Sequence, residues 1–231
     1  MKQKIVVLTG AGISAESGIQ TFRGADGLWE GHRIEDVASP EGWQRNQDMV
    51  LNFYNQRRAQ LLTVQPNTAH YALVDLEKNY DVTIITQNVD DLHERAGSTH
   101  VVHLHGELLK VRSSIDETLI YDWRTDLQIG DKCAKGSQLR PYIVWFGEQV
   151  PMIESAATMS AAAAIFIVIG TSLVVYPAAG LLHQTQYEAE KYLINPDDTN
   201  APRVPNLKFI FEKATVGVPY LVNELNKRAN L

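Results

Sequence analysis

The sequence predicts an α/β protein, a doubly wound parallel sheet with a small inserted module. Three observations carry this expectation. Short apolar, β-branched runs recur along the chain, helical patterns separate them, and the first run ends in a glycine turn, Thr9-Gly10-Ala11-Gly12. Strands that alternate with helices pack as a parallel sheet covered on both faces. At 231 residues the chain fits one large domain, or one domain with an insert.

The elements follow in order. Ile5–Leu8 is the first strand. Gly10 and Gly12 let the chain turn sharply and let a ligand approach the backbone. Strand, glycine turn and helix start is how α/β proteins present N–H groups to a phosphate. The spacing is not G-x-G-x-x-G, because the third glycine comes late, at Gly18, and the segment carries Ser14, Glu16, Ser17 and Phe22-Arg23. A helical pattern spans Asp48 to Leu62 with an Asp cap, and Pro66-Asn67 opens another through Leu76. Val82–Thr86 and Val101–Leu104 read as buried strands. Glu107 to Arg140 is polar and has no long apolar run, but sheet elements bracket it, so it reads as an inserted module rather than a linker. Asp26 to Gln47 reads as a second excursion. The uncharged run Ala156–Leu182 is long enough to suggest a membrane span. Its character changes midway, so a helix, the strand Ile165–Ile169, a polar loop and a second helix account for it better. Lys191–Ile194 is a weaker strand and Leu207–Phe211 a further one. Pro219–Leu225 belongs to a C-terminal helix, with Pro219 expected in its first turn. The arrangement is Rossmann-like.

A net charge of -6 argues against a nucleic-acid surface, which needs clustered Lys and Arg. The apolar run after Lys2 and Lys4 is too short for an export signal, and the single cysteine, Cys133, forms no internal disulfide. A cytoplasmic protein without a membrane partner is expected.

Polar residues collect where strands end: Thr86-Gln87-Asn88-Val89-Asp90, His105-Gly106-Glu107, Gly170-Thr171-Ser172 and Asn195-Pro196. A doubly wound sheet binds its ligand at that edge. His103 and His105 alternate on one strand, with His100 nearby. A metal site is one reading, and surface or hydrogen-bonded histidines are the commoner one for His100 and His103. His105, at the strand end before Gly106, is placed to act as a general base near neutral pH.

Five segments, GAGISAESGIQTFRG, TQNVDDLHERAG, HLHGEL, RPYIVWFGE and GTS, occur in this order. Together they resemble the sirtuins, the NAD-dependent protein-lysine deacylases, and the resemblance covers nearly the whole chain. It implies NAD as cofactor and acylated protein lysines as partners. It places the NAD pyrophosphate on Gly10, Ala11, Gly12 and the helix start that follows, with Ile13, Ala15 and Glu16 also on the cofactor side. Phe22 and Arg23 would lie on a loop closing over the nicotinamide ribose, and Trp29 would also be on the cofactor side. Gln87, Asn88, Val89 and Asp90 would meet nicotinamide and ribose. Gly170, Thr171 and Ser172 would meet phosphate or adenosine, and Asn195 and Ala214 adenosine. His105 would be the catalytic base. Val144, Phe146, Gly147 and Glu148 would meet substrate. The products would be nicotinamide, O-acyl-ADP-ribose and free lysine. An ADP-ribosyltransferase or NAD hydrolase using the same pocket, or a non-catalytic NAD sensor, are the rival readings. In this frame residues 1–231 form one sirtuin-type domain. Its Rossmann-like core covers about 1–25, 80–106 and 141–231, with a helical excursion at about 26–79 and a remnant zinc module at about 107–140.

Tyr54 and Arg57 form Y-x-x-R and share a helix face. Phenol and guanidinium side by side can clasp a carboxylate, Arg bidentately. The alternative is that Arg57 and Arg58 are solvated helix charges. The class III sirtuins, to which Ala15 also points, use a Tyr and an Arg at this spacing for succinyl- or malonyl-lysine. The departure from the family lies at the metal. Sirtuins carry zinc on four cysteines, and a structural zinc site needs four N or S ligands. The module here offers Cys133 alone, Ser113 stands where the first cysteine is expected, and no His lies between His105 and His183. No zinc is expected.

Overall fold

The computed structural model describes residues 2–20, 28–29, 31–197 and 203–229. The chain opens with β1 (Lys4–Thr9), two short 3₁₀ turns, and a small hairpin of β2 (Leu28–Trp29) and β3 (His32–Arg33). Four helices follow: α1 (Ile34–Val37), α2 (Pro40–Arg45), α3 (Gln47–Leu61) and α4 (Thr68–Leu76). Then come β4 (Asp81–Thr86), α5 (Leu92–Ala96), β5 (Val101–His103), β6 (Gly106–Ser113), β7 (Ile120–Asp122) and β8 (Leu139–Ile143). The chain continues with α6 (Ile153–Ala161), β9 (Ile165–Ile169), a 3₁₀ helix (Ala178–Gln184), β10 (Glu190–Ile194), β11 (Leu207–Ile210) and α7 (Ala214–Ala229).

The main sheet has six parallel strands in the order β11-β10-β9-β1-β4-β5. Counted through this sheet alone, the order is 3-2-1-4-5-6, that of dinucleotide-binding α/β proteins. The order reverses between β1 and β9. The register sets strand ends level there: Thr9 pairs with both Ile169 and Thr86, Thr86 with His103, and Ile169 with Ile194. The loops after five strands therefore leave at one edge.

Alternation along the strands divides the core. Ile5, Val7, Ile84, Ile167 and Ile194 face α4 and α7, while Val6, Leu8, Phe166 and Val168 face α6 and the 3₁₀ helix. These strands are buried on both sides, which is why they read as continuous apolar runs. A third core joins α1–α3 to the antiparallel sheet β7-β6-β8, through Val50, Phe53, Leu61, Leu109, Val111 and Leu139.

Several local expectations are corrected. The segment after Gly10 is two 3₁₀ turns, Ala11–Ile13 and Ala15–Ser17, closed by Gly18 at φ 99, rather than the start of an α-helix. The cap of α3 is Asn46, whose Oδ1 accepts from Met49 N at 3.0 Å, rather than an Asp. Pro219 lies inside α7, because the helix starts at Ala214. The stretch 107–140, read as a polar module with no long apolar run, holds most of β6, all of β7 and the start of β8. The 26–79 excursion divides, since α4 packs on the main sheet. The expected helix over Ala178–Leu182 is 3₁₀. No described helix is long and apolar enough to cross a membrane.

Candidate active site

A cleft of about 850 Å³ opens at the carboxyl edge of the sheet, between it and the module. Its floor is the switch point. Gly10 N donates to Ile169 O at 3.0 Å and Gly12 N to Gly170 O at 2.8 Å. A Cβ at Gly10 would come within 2.7 Å of Thr171 Cβ, and one at Gly12 within 2.6 Å of Gly170 Cα. The two loops interlock so closely that these positions demand glycine. The N–H groups of Gly10, Gly12, Ile13 and Ser14 all donate within the fold, and the 3₁₀ turns are too short to act on a phosphate through a helix dipole.

Behind the turn lies a buried polar network. Ser14 Oγ donates to Asp90 Oδ2 at 3.0 Å, and Asn88 Nδ2 donates to Gly10 O at 3.2 Å and Ser14 Oγ at 3.3 Å. Leu92 N donates to Asp90 Oδ1 at 3.2 Å. Burial pushes the Asp90 carboxyl up to about 6, against the lowering pull of the Leu92 and Ser14 bonds. Gln87 Nε2 reaches Thr171 Oγ1 at 3.3 Å and so ties the loops after β4 and β9.

His105 lies where β5 gives way to β6. Its Nδ1 is 3.0 Å from Gln87 O. A carbonyl only accepts, so Nδ1 carries the proton and Nε2 is the basic nitrogen. Burial lowers the imidazole pKa, with the Gln87 bond opposing, so the neutral base form dominates at neutral pH. His103 serves another purpose: its Nε2 pairs with Glu94 Oε1 at 2.7 Å and its Nδ1 with Asn88 O. Burial disfavours its charged form, but the Glu94 bond and charge outweigh that and raise its pKa.

The structure places Gly10, Ala11, Gly12, Ala15, Glu16, Trp29, Gln87, Asn88, Val89, Asp90, His105, Gly170, Thr171, Ser172, Asn195 and Ala214 around this one cleft. Tyr54, Arg57, Val144, Phe146 and Gly147 line its module side. Ile13 is different, being fully buried in the core beneath the turn. Glu148 borders the cleft, but its carboxylate is taken by Arg140 Nη1 at 2.7 Å, Arg112 Nη2 at 3.3 Å and Trp145 N at 2.8 Å. Its role here is to hold the loop. Glu16 bonds Thr215 Oγ1 and so ties the second turn to α7. Trp29 packs edge-on against Phe53 of α3, with ring centroids 4.9 Å apart. Phe22 and Arg23 lie outside the described residues. Ser14 and Trp145 were missed as site residues. The spacing of Ser14 to the two glycines was the available signal, and nothing local marked Trp145.

Sheet order, switch-point cleft and interlocked glycine loops together define a dinucleotide-binding α/β protein. A family model described as Sir2 family matches residues 10–177, and the chain belongs to that family. It is 55% identical over 228 residues to an NAD-dependent protein deacylase of Helicobacter pylori (strain ATCC 700392 / 26695), covering 99% of this chain and 100% of that one. An NAD-dependent protein deacylase of Bacteroides thetaiotaomicron is 54% identical, with 95% and 96% covered. A solved Sir2 homologue in complex with NAD superposes with a TM-score of 0.88 at 41% identity, covering 99% of this chain and 91% of that one.

Proposed function

We propose that this chain removes acetyl, succinyl and malonyl groups from protein lysines in the cytoplasm, using NAD and releasing nicotinamide, O-acyl-ADP-ribose and lysine. The observation that carries the reading is His105, a neutral base held by Gln87 between the glycine loops and the Tyr54–Arg57 wall. The cleft fits NAD: its volume suits a dinucleotide, and the Thr171 and Ser172 hydroxyls, the Gln87 and Asn88 amides and the buried Asp90 carboxyl line it. When bound, NAD supplies the ribose carbon that takes the acyl oxygen and the nicotinamide that leaves. The chain does the rest. The interlocked turns seat the phosphates, Asn88 and Asp90 hold the ribose end, and His105 takes up a proton at Nε2. Val144, Phe146 and Gly147 receive the peptide. The names of the Helicobacter and Bacteroides relatives support this activity.

Tyr54 and Arg57 form the acyl clamp. Arg57 lies over the Phe53 ring at 4.8 Å, and both Arg57 and Ala15 line the cleft. Arg57→Met is expected to lower kcat/KM for a succinyl-lysine peptide by about ten- to a hundredfold relative to an acetyl-lysine peptide, the value of a charge-assisted hydrogen bond. Steady-state kinetics on both peptides checks this, and equal losses contradict it.

The module does not fit zinc. Ser113 Oγ accepts from Ile115 N at 3.2 Å and Asp116 N at 3.3 Å, and Ser113 also bonds the Cys133 thiol. Asp116 is paired to Lys135 at 2.7 Å. No group of three or more His, Cys, Asp or Glu able to hold a metal occurs among the described residues. Residues 1–231 are read as one domain whose module closes by hydrogen bonds and packing. Metal analysis of purified protein is expected to find no stoichiometric zinc, and a chelator is expected to leave the melting temperature unchanged.

A further inference from the structure

We propose that Trp145 is a specificity-determining positioning residue, which acts on the acyl group through the hydroxyl of Tyr54. The inference rests on the acyl-clamp reading above and deepens it. Trp145 Nε1 lies 2.9 Å from Tyr54 Oη, and both residues are buried in the wall of the cleft. An indole N–H can only donate, so Tyr54 Oη is the acceptor in this bond. The phenol's own hydrogen is then turned away from Trp145 and remains for a second partner. Among the described residues no acceptor for it occurs within the fold. Burial also raises the Tyr54 pKa, so the hydroxyl stays protonated. A protonated phenol with its acceptor side filled is a one-directional donor, which suits a carboxylate and gives nothing to an acetyl methyl group.

Trp145 is itself held at its backbone and at its ring. Its backbone N–H donates to Glu148 Oε2 at 2.8 Å. The Arg140 guanidinium stacks on its ring at 3.3 Å from the centroid. Arg140 in turn binds Glu148 twice, at 2.7 and 3.1 Å, and donates to Ile143 O at 3.0 Å. A planar guanidinium that stacks and binds a carboxylate bidentately holds one orientation. Glu148, Arg140 and Trp145 therefore form a rigid chain that ends on the Tyr54 oxygen.

The test is Trp145→Phe, which keeps an aromatic ring and removes the N–H, measured with Tyr54→Phe and the double variant. The ratio of kcat/KM for a succinyl-lysine peptide to that for an acetyl-lysine peptide is expected to fall by about five- to tenfold, the worth of one hydrogen bond. The two substitutions are expected to be non-additive, because both act through one hydroxyl. An unchanged succinyl-to-acetyl ratio, or additive losses, overturns the proposal. Arg57→Met run in parallel separates the two failures. If it leaves the ratio intact, the clamp itself is wrong; if it collapses the ratio while Trp145→Phe does not, only the role of Trp145 is wrong. Should Trp145→Phe fold poorly, the ¹⁵N-labelled unsubstituted protein supplies the answer. The indole N–H signal that moves on Tyr54→Phe is expected to shift more with succinyl- than with acetyl-lysine peptide, and equal shifts overturn the proposal.

Discussion

Beneath the glycine turn, His93 Nε2 lies 3.1 Å from Thr9 Oγ1, and the His70 and His93 rings meet edge-on with centroids 5.0 Å apart. His70 Nδ1 accepts from Asn67 N at 3.2 Å and completes the cap of α4. Burial lowers the His70 pKa to about 4 and that of His93 well below its usual value. A histidine depressed in the folded state gives stability that is complete above the unfolded pKa near 6.5 and is lost as pH falls toward 4. Asp90, raised to about 6, acts with the opposite sign, because its contribution falls as pH rises through that value. His70→Gln keeps an acceptor at the capping position and removes the titration. Between pH 6.5 and 4 its stability is expected to fall less steeply than that of the unsubstituted protein, by up to about 1.4 kcal/mol per pH unit. Chemical denaturation across that range checks this, and parallel curves contradict it. At this scale the sequence was informative about chemistry and silent about direction. His105 could be singled out from its strand end, whereas the pairing of the Glu148 carboxylate with Arg112 and Arg140 depends on the fold.

Helix α3 shows how one element serves two neighbours. Tyr54 and Arg57 face the cleft, while Asn55 and Arg58, one step round, face the module. Asn55 Nδ2 donates to Leu127 O at 3.0 Å, and Leu127 N donates back to Asn55 Oδ1 at 2.9 Å. The buried Arg58 donates to Leu108 O, Asn55 Oδ1 and Thr125 O. The Tyr54–Arg57 wall of the cleft is thus built on the helix whose Asn55 and Arg58 bond the module. Asn55→Ala would leave both Leu127 groups unpaired and is expected to cost about 2 kcal/mol in chemical denaturation. A change within 0.5 kcal/mol would contradict this account of the module's closure. Elements buried on both faces of the main sheet were legible, since their apolar runs need no context. Strand β6 was not, although Leu109, Val111 and Ser113 are buried in alternation with Lys110 and Arg112. Its apolar face is short and a register irregularity interrupts it. Pro219 misled because proline fits a first turn best, yet the helix begins earlier, at Ala214.

For the whole molecule, strand order places the function. The reversal between β1 and β9 opens the cleft, and three-dimensional packing then brings the module's core against it. The sequence conveyed the first through strand and glycine spacing. It could not convey the second, because Tyr54, Trp145 and Arg140 meet only through tertiary contact. The central claim is that the cleft couples NAD cleavage to lysine deacylation through His105. Mass spectrometry of products from NAD and a panel of acetyl-, succinyl- and malonyl-lysine peptides tests it most directly. The account predicts O-acyl-ADP-ribose and free lysine in equal amounts, nicotinamide release only when acyl-peptide is present, and a loss of about 10²–10⁴-fold in His105→Ala. ADP-ribosylated peptide, free ADP-ribose without peptide, or full activity in His105→Ala would contradict it.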